Sequence, residues 1–201
     1  INFSVPTGNF GDVYAGYLAK KIGLPINKFI VATNQNDILH RAITNGAYDV
    51  ENVLETISPS MDIQIASNFE RLIFELNNHS DKKTIDVMRG IKEKGKYEIQ
   101  KEFLDKINVD FLSSRMDENE VLNIIKTVYE KFDKVLDPHS AIGYGAFDKV
   151  DLKGNNIVLA TAHPCKFPGA IEKAINIKAE LPDELLFILD EKENYDIIDN
   201  D

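Results

Sequence analysis

Cysteine is almost missing from this chain. Cys165 stands alone, which excludes an intrachain disulfide and fits a reducing compartment such as the cytosol. Positive charge is scarce as well: 23 Lys and Arg face 33 Asp and Glu, a formal net charge of −10 with a pI near 4.9. A nucleic-acid backbone needs a basic face to release its counterions, so no nucleic acid is expected as a partner. No apolar run approaches membrane-spanning length and no signal peptide precedes the first apolar stretch, so no membrane is expected either. Four histidines lack the paired spacing of a metal site. Neither Gly-x-Gly-x-x-Gly nor a Walker lysine loop is present. A polar lead-in is missing too: residue 1 is an isoleucine already inside an apparent strand, which leads us to expect a fragment whose upstream half is absent.

What is there is a 201-residue chain with 43% hydrophobic residues, enough for one medium domain or one and a half smaller ones around a real core. Its most informative run is Val5-Pro6-Thr7-Gly8-Asn9-Phe10-Gly11-Asp12. It reads as strand, glycine-bracketed turn, then helix opening near Asp12. Gly8 and Gly11 let the backbone turn sharply and approach a ligand, and free N–H groups at the helix start favour a dianion. A strand-to-helix turn with two space-saving glycines accounts for the same letters.

Val13, Tyr14, Tyr17, Leu18 and Ile22 carry helical spacing, closed by Gly23 and Pro25. Lys28 to Thr33 reads as a second strand, giving a βαβ unit and hence a mainly parallel sheet covered by helices. Ligands gather at the carboxyl ends of such strands, which puts Asn34 and Asp37 beside the Gly8 turn. Gly46 to Ser60 looks irregular. Ser67 with Glu70 reads as a capping box for a helix through Leu76, Asp81 to Lys96 as a surface helix, and Asn108 to Leu112 as a short strand. Asp117 with Glu120 caps a longer helix, Asp137-Pro138 opens another, and Asn156 to Thr161 is a third strand. We expect an α/β core over 1–80 and 117–178, an inserted helical subdomain over 81–116 and an acidic tail region over 179–201.

Six segments together resemble threonine synthase: the run from Val5 to Asp12, Ala32-Thr33-Asn34-x-Asn36-Asp37, Ser58-Pro59-Ser60-Met61-Asp62-Ile63, Ser67-Asn68-Phe69-Glu70-Arg71-Leu72, Leu136-Asp137-Pro138-His139-Ser140-Ala141 and Thr161-Ala162-His163-Pro164-Cys165-Lys166-Phe167. Their order and spacing are similar across nearly the whole chain, which looks like the carboxyl-terminal portion of the longer bacterial and fungal form. The resemblance implies a fold-type II (tryptophan synthase beta-like) enzyme that clasps pyridoxal 5′-phosphate between two α/β domains. The implied reaction is that of a lyase in threonine biosynthesis, converting O-phospho-L-homoserine and water to L-threonine and phosphate. It implies that Gly8, Asn9, Phe10, Gly11 and Asp12 bind the cofactor phosphate and that Thr161 places a hydroxyl near the pyridine nitrogen. It also implies a cytoplasmic homodimer and puts the Schiff-base lysine upstream of Ile1, so no catalytic residue is expected in this chain.

Asn34, Asp37 and His163 remain candidates for the active site. Lys166 reads as a surface or supporting lysine and Cys165 as a small packing residue. His139, at a helix start beside proline, reads as a cap or packing group. Asp62, Glu70 and Arg71 could equally be a structural ion pair or helix-surface charges. The alternatives are a threonine-synthase-like phospho-lyase paralogue and a non-catalytic phosphate-binding domain of the same fold. A sheet cut at its first strand would expose an edge and a former domain interface, so self-association or marginal stability is expected.

Overall fold

The computed structural model describes residues 1–199; residues 200 and 201, the end of the expected acidic tail, lie outside the described residues. Along the chain come β1 (Asn2–Pro6), α1 (Gly11–Lys21), β2 (Lys28–Thr33), α2 (Ile38–Asn45), β3 (Ala47–Asp49), α3 (Phe69–Leu76), α4 (Asp81–Lys94), β4 (Lys96–Glu98), α5 (Lys101–Asp110), β5 (Phe111–Arg115), α6 (Glu118–Phe132), α7 (Pro138–Gly145), β6 (Asn156–Val158) and α8 (Pro168–Ile175).

Four strands form one parallel sheet in the order β5-β2-β1-β6, with Val5 beside Val31, Ser4 beside Val158 and Ala32 beside Ser114. Alternation along β2 sends Phe29 and Val31 to one face and Ile30 and Ala32 to the other, and all four are buried. This is the burial of a parallel strand covered on both sides. On the first face Phe111 packs against Phe10, Tyr17 and Phe29 with ring centroids 5.6, 5.3 and 5.8 Å away. On the second, Ile125 of α6, Ala141 and Ile142 of α7 and Ile171 of α8 close over Ile30 and Ala32. The expected α/β architecture, a parallel sheet flanked by helices, is the one observed.

Several local expectations are corrected. The first strand is not an edge: β1 lies between β2 and β6. The strand expected over 108–112 starts three residues later, because the chain stays helical to Asp110, supported by i,i+4 pairs Lys101–Asp105 and Glu102–Lys106. Residues 111–115, within the expected 81–116 insertion, form one of the sheet's two edge strands, beside β2. The supposedly irregular 46–60 stretch contains β3, paired antiparallel with β4; three-residue strands carry no readable period. Ser67 caps nothing: α3 begins after Asn68 with no side-chain cap. Leu18 of α1 and Ile22 just past its end are exposed, and the third strand ends at Val158. The capping box of α6 is present in both directions, Glu120 N donating to Asp117 Oδ1 at 2.9 Å and Asp117 N to Glu120 Oε2 at 2.8 Å.

Past α8 the chain forms a 3₁₀ segment, Asp183–Asp190, whose Leu185, Leu186, Phe187, Ile188 and Leu189 are all exposed. Among the described residues no helix is long and apolar enough to cross a membrane.

Candidate functional site

Where β1 ends, the Thr7 amide still donates to Ala32 O at 2.8 Å, so the chain leaves the sheet only at Gly8. The turn that follows is tight at a residue other than a glycine. Phe10 has φ 67°, in the left-handed region, whereas Gly8 and Gly11 do not. This corrects the expectation that the glycines supply the sharp turn. Their smallness serves approach instead: a Cβ on Gly8 would lie 2.8 Å from Ser60 O and 3.0 Å from Met61 Cα, and one on Gly11 would lie 3.3 Å from Asn68 Nδ2. A left-handed phenylalanine costs on the order of 1 kcal/mol or more. Burial of the ring offsets that cost, edge-on to Phe69 at 5.2 Å and fully enclosed. The helix α1 then starts with no capping side chain, so its first-turn N–H groups are left for water or a ligand.

This turn opens on a cavity of about 280 Å³ lined by Gly8, Asn9, Phe10, Gly11 and Asp12, and by Thr161 with Ala162, Ser60, Met61, His139, Lys166 and Phe167 among others. All six residues expected at a cofactor are thus brought to one cavity. Asp12 can serve an anion only through its backbone N–H, since its carboxylate carries the wrong sign.

The far wall is held by α7. Asp137 caps the helix, accepting from the amides of His139 at 2.9 Å and Ser140 at 3.4 Å. His139 Nδ1 lies 3.0 Å from Asp137 Oδ1, while its Nε2 accepts from the Ser60 amide at 3.3 Å. Those two partners require the Nδ1–H tautomer, donating to the carboxylate and accepting from Ser60. Burial pushes the Asp137 carboxyl up, but hydrogen bonds from His139 and Ser140 outweigh it and hold the group below its ordinary 3.8. The imidazole also packs 4.7 Å from the Phe167 ring. Ser140 Oγ accepts from the Thr161 amide at 3.1 Å, fixing that residue's backbone at the cavity.

The other three candidates lie outside the lining. Asn34 is buried in a polar network, its Nδ2 2.8 Å from Asp62 Oδ1 and 2.9 Å from both Thr56 Oγ1 and Ser58 Oγ. Asp62 also accepts from Asn36 Nδ2 at 2.9 Å, Thr56 Oγ1 at 2.7 Å and the Thr56 amide at 2.8 Å. The network therefore braces the segment whose Ser60 and Met61 line the cavity. Asp37 pairs with Arg41 at 2.9 Å and Arg115 at 3.1 Å. His163 accepts from the Cys165 amide at 3.2 Å, capping the short 3₁₀ turn Pro164–Lys166. Sequence reasoning placed none of Ser60, Met61, His139, Lys166 or Phe167 at the cavity, although each lies in one of the six motifs. Lys166 is at once exposed and part of the lining. Among the described residues no cluster of His, Cys, Asp and Glu could hold a metal ion.

Comparison with known proteins bears on the family and the fold. Residues 140–201 match the family model for threonine synthase, C-terminal. The chain is similar to the threonine synthase of Pseudomonas aeruginosa, at 40% identity over 204 residues, covering 100% of this chain and 44% of the relative. It is also similar to that of Saccharomyces cerevisiae, at 40% identity over 211 residues, covering 92% and 41%. The solved structure of PLP-bound threonine synthase from Brucella melitensis superposes with a TM-score of 0.94 at 43% identity, covering 98% of this chain and 43% of that one. The chain spans a little under half the length of these relatives, and over that span it shares the fold. A chain that superposes over 98% of its own length on one threonine synthase and is 40% identical to two others over 92–100% of that length leaves one conclusion: it belongs to the threonine synthase family.

Proposed function

We propose that the cavity holds the phosphate of pyridoxal 5′-phosphate and that this chain forms one wall of a threonine synthase acting on O-phospho-L-homoserine and water to give L-threonine and phosphate. The observation that carries this reading is the start of α1: no side chain caps it where the turn lines the cavity, and the glycines on either side of Phe10 let Ser60, Met61 and Asn68 close tightly on that turn. The residues suit the cofactor. Backbone N–H groups and the positive helix end match a phosphate, and Lys166 adds a cation to the same lining.

The cofactor would supply an electron-withdrawing ring that stores the electron pairs left when the substrate's α and β protons are removed. This chain's own part is to hold and orient. Gly8 to Gly11 grip the phosphate end. Thr161 offers a neutral hydroxyl to the ring nitrogen where other such enzymes offer a carboxylate. His139, tied to Asp137 and Ser60, keeps the Ser60–Met61 wall against Gly8. Asn34 and Asp62 brace the same segment from beneath. In this reading the Schiff-base lysine belongs to the part of the family that this chain does not span, so the chain by itself is catalytically incomplete. The complete protein would work as a cytosolic homodimer, a placement supported by the lone Cys165.

The test assays a protein of the family's whole length carrying this chain, with pyridoxal phosphate and O-phospho-L-homoserine, following threonine and phosphate together. Equal release of both is expected. Phosphate without threonine would replace the reading with a phospho-lyase, and neither product with no cofactor bound would replace it with a non-enzymatic phosphate-binding domain.

A further inference from the structure

The geometry points to Ser67 as a positioning residue that turns the Asn9 amide so that its nitrogen, and not its oxygen, faces the anion in the cavity; this rests on the phosphate reading just proposed. Ser67 Oγ donates to Asn9 Oδ1 at 2.9 Å, across 58 residues of sequence. A carboxamide presents a donor edge and an acceptor edge of nearly the same shape. At a phosphate the difference is one of sign: Nδ2 attracts the anion and Oδ1 repels it. A hydroxyl can donate or accept; donating to Oδ1, as it does here, Ser67 holds the amide in the sense that leaves Nδ2 as the free end of the one side-chain amide in the turn that lines the cavity.

Ser67 is well placed for this because its segment is rigid beneath it. The Ala66 amide donates to the hydroxyl of buried Tyr48 at 2.9 Å, and Phe69 stacks on the Tyr48 ring at 5.4 Å while meeting Phe10 of the turn edge-on. Asn68 lies against Gly11. The serine, free of any capping duty for α3, is therefore carried on the same aromatic stack that fixes the turn. Both Ser67 and Asn9 are exposed, so each can be changed without opening the core.

The test titrates the apo form of a protein of the family's whole length carrying this chain with pyridoxamine 5′-phosphate, which binds without a Schiff base, and with orthophosphate as competitor. Ser67→Ala should weaken binding about fivefold while leaving the urea midpoint unchanged, Ser67→Thr should restore it, and Ser67→Ala should have no further effect in an Asn9→Ala background. Asn9→Asp should bind more weakly than Asn9→Ala, because a carboxylate then faces the anion. Wild-type affinity in Ser67→Ala, or an equal loss with and without Asn9, would overturn the positioning role while leaving the phosphate site standing. No binding by the wild-type protein of whole length would instead overturn the phosphate reading itself, and this inference with it.

Discussion

At Gly8 the constraint is distance. The site a Cβ would take is 2.8 Å from a backbone carbonyl oxygen and 3.0 Å from a backbone Cα, and neither can swing aside as a side-chain tip would. Gly8→Ala should therefore push Ser60 and Met61 away from the turn, costing about 1–3 kcal/mol of stability and at least tenfold in pyridoxamine phosphate affinity, read by urea unfolding and titration. Asp137 and His40, a half-buried residue of α2 whose Nδ1 lies 3.0 Å from Ser113 Oγ, give the acid response. Burial holds the His40 pKa below 6.5, so its contribution is whole above 6.5 and declines as pH falls from there toward the lower folded value. Asp137 is held below 3.8 by its hydrogen bonds, so its contribution is whole above 3.8 and is lost as pH falls through its folded value. Asp137→Asn should be less stable than wild type at pH 7 by about 1–3 kcal/mol, and the gap should narrow below pH 3.8, as followed by urea midpoints across pH.

At the scale of elements, α6 tests how far local sequence reaches. Its apolar side and its capping box are both encoded within a few neighbouring residues, and the box forms as expected from Asp117 and Glu120. Asp117→Ala should cost about 1 kcal/mol without altering phosphate affinity, since α6 supplies no lining residue. The similar reading at Ser67 and Glu70 failed, because Ser67's hydroxyl is drawn to Asn9, a partner 58 residues away. Similarly, α5 and β5 meet at Phe111, which inserts between Phe10, Tyr17 and Phe29. Nothing in the local pattern of 108–112 announces that those rings wait there, and the strand was placed three residues early.

For the molecule as a whole, the exposed surface to watch is the run Leu185–Leu189, where Phe187 and Leu189 are 61% and 68% exposed. A contiguous apolar run of this kind favours association. The isolated chain should show concentration-dependent self-association in sedimentation velocity, and Phe187→Glu with Leu189→Glu should reduce it. An unchanged distribution would mean that the sheet's edge strands, β5 and β6, are the sticky surface instead.

The division between sequence and fold follows the range of the interactions. Chain order by itself determined the βαβ opening, the parallel sheet and the caps of α6 and α7, because periodicity and caps are carried by residues close together, while Gly8 to Asp12 were grouped with Thr161 by the resemblance of the motifs that hold them. Only the tertiary structure decided that Phe10 rather than a glycine takes the left-handed turn, since its strain is relieved by Phe69. It alone took Asn34 and Asp37 out of the lining and into a network around Asp62 and a cluster of ion pairs. It likewise joined His139 to Ser60 across 79 residues. Such contacts depend on which buried polar atoms meet once the core has closed, and a buried donor takes whichever acceptor the packing brings within reach.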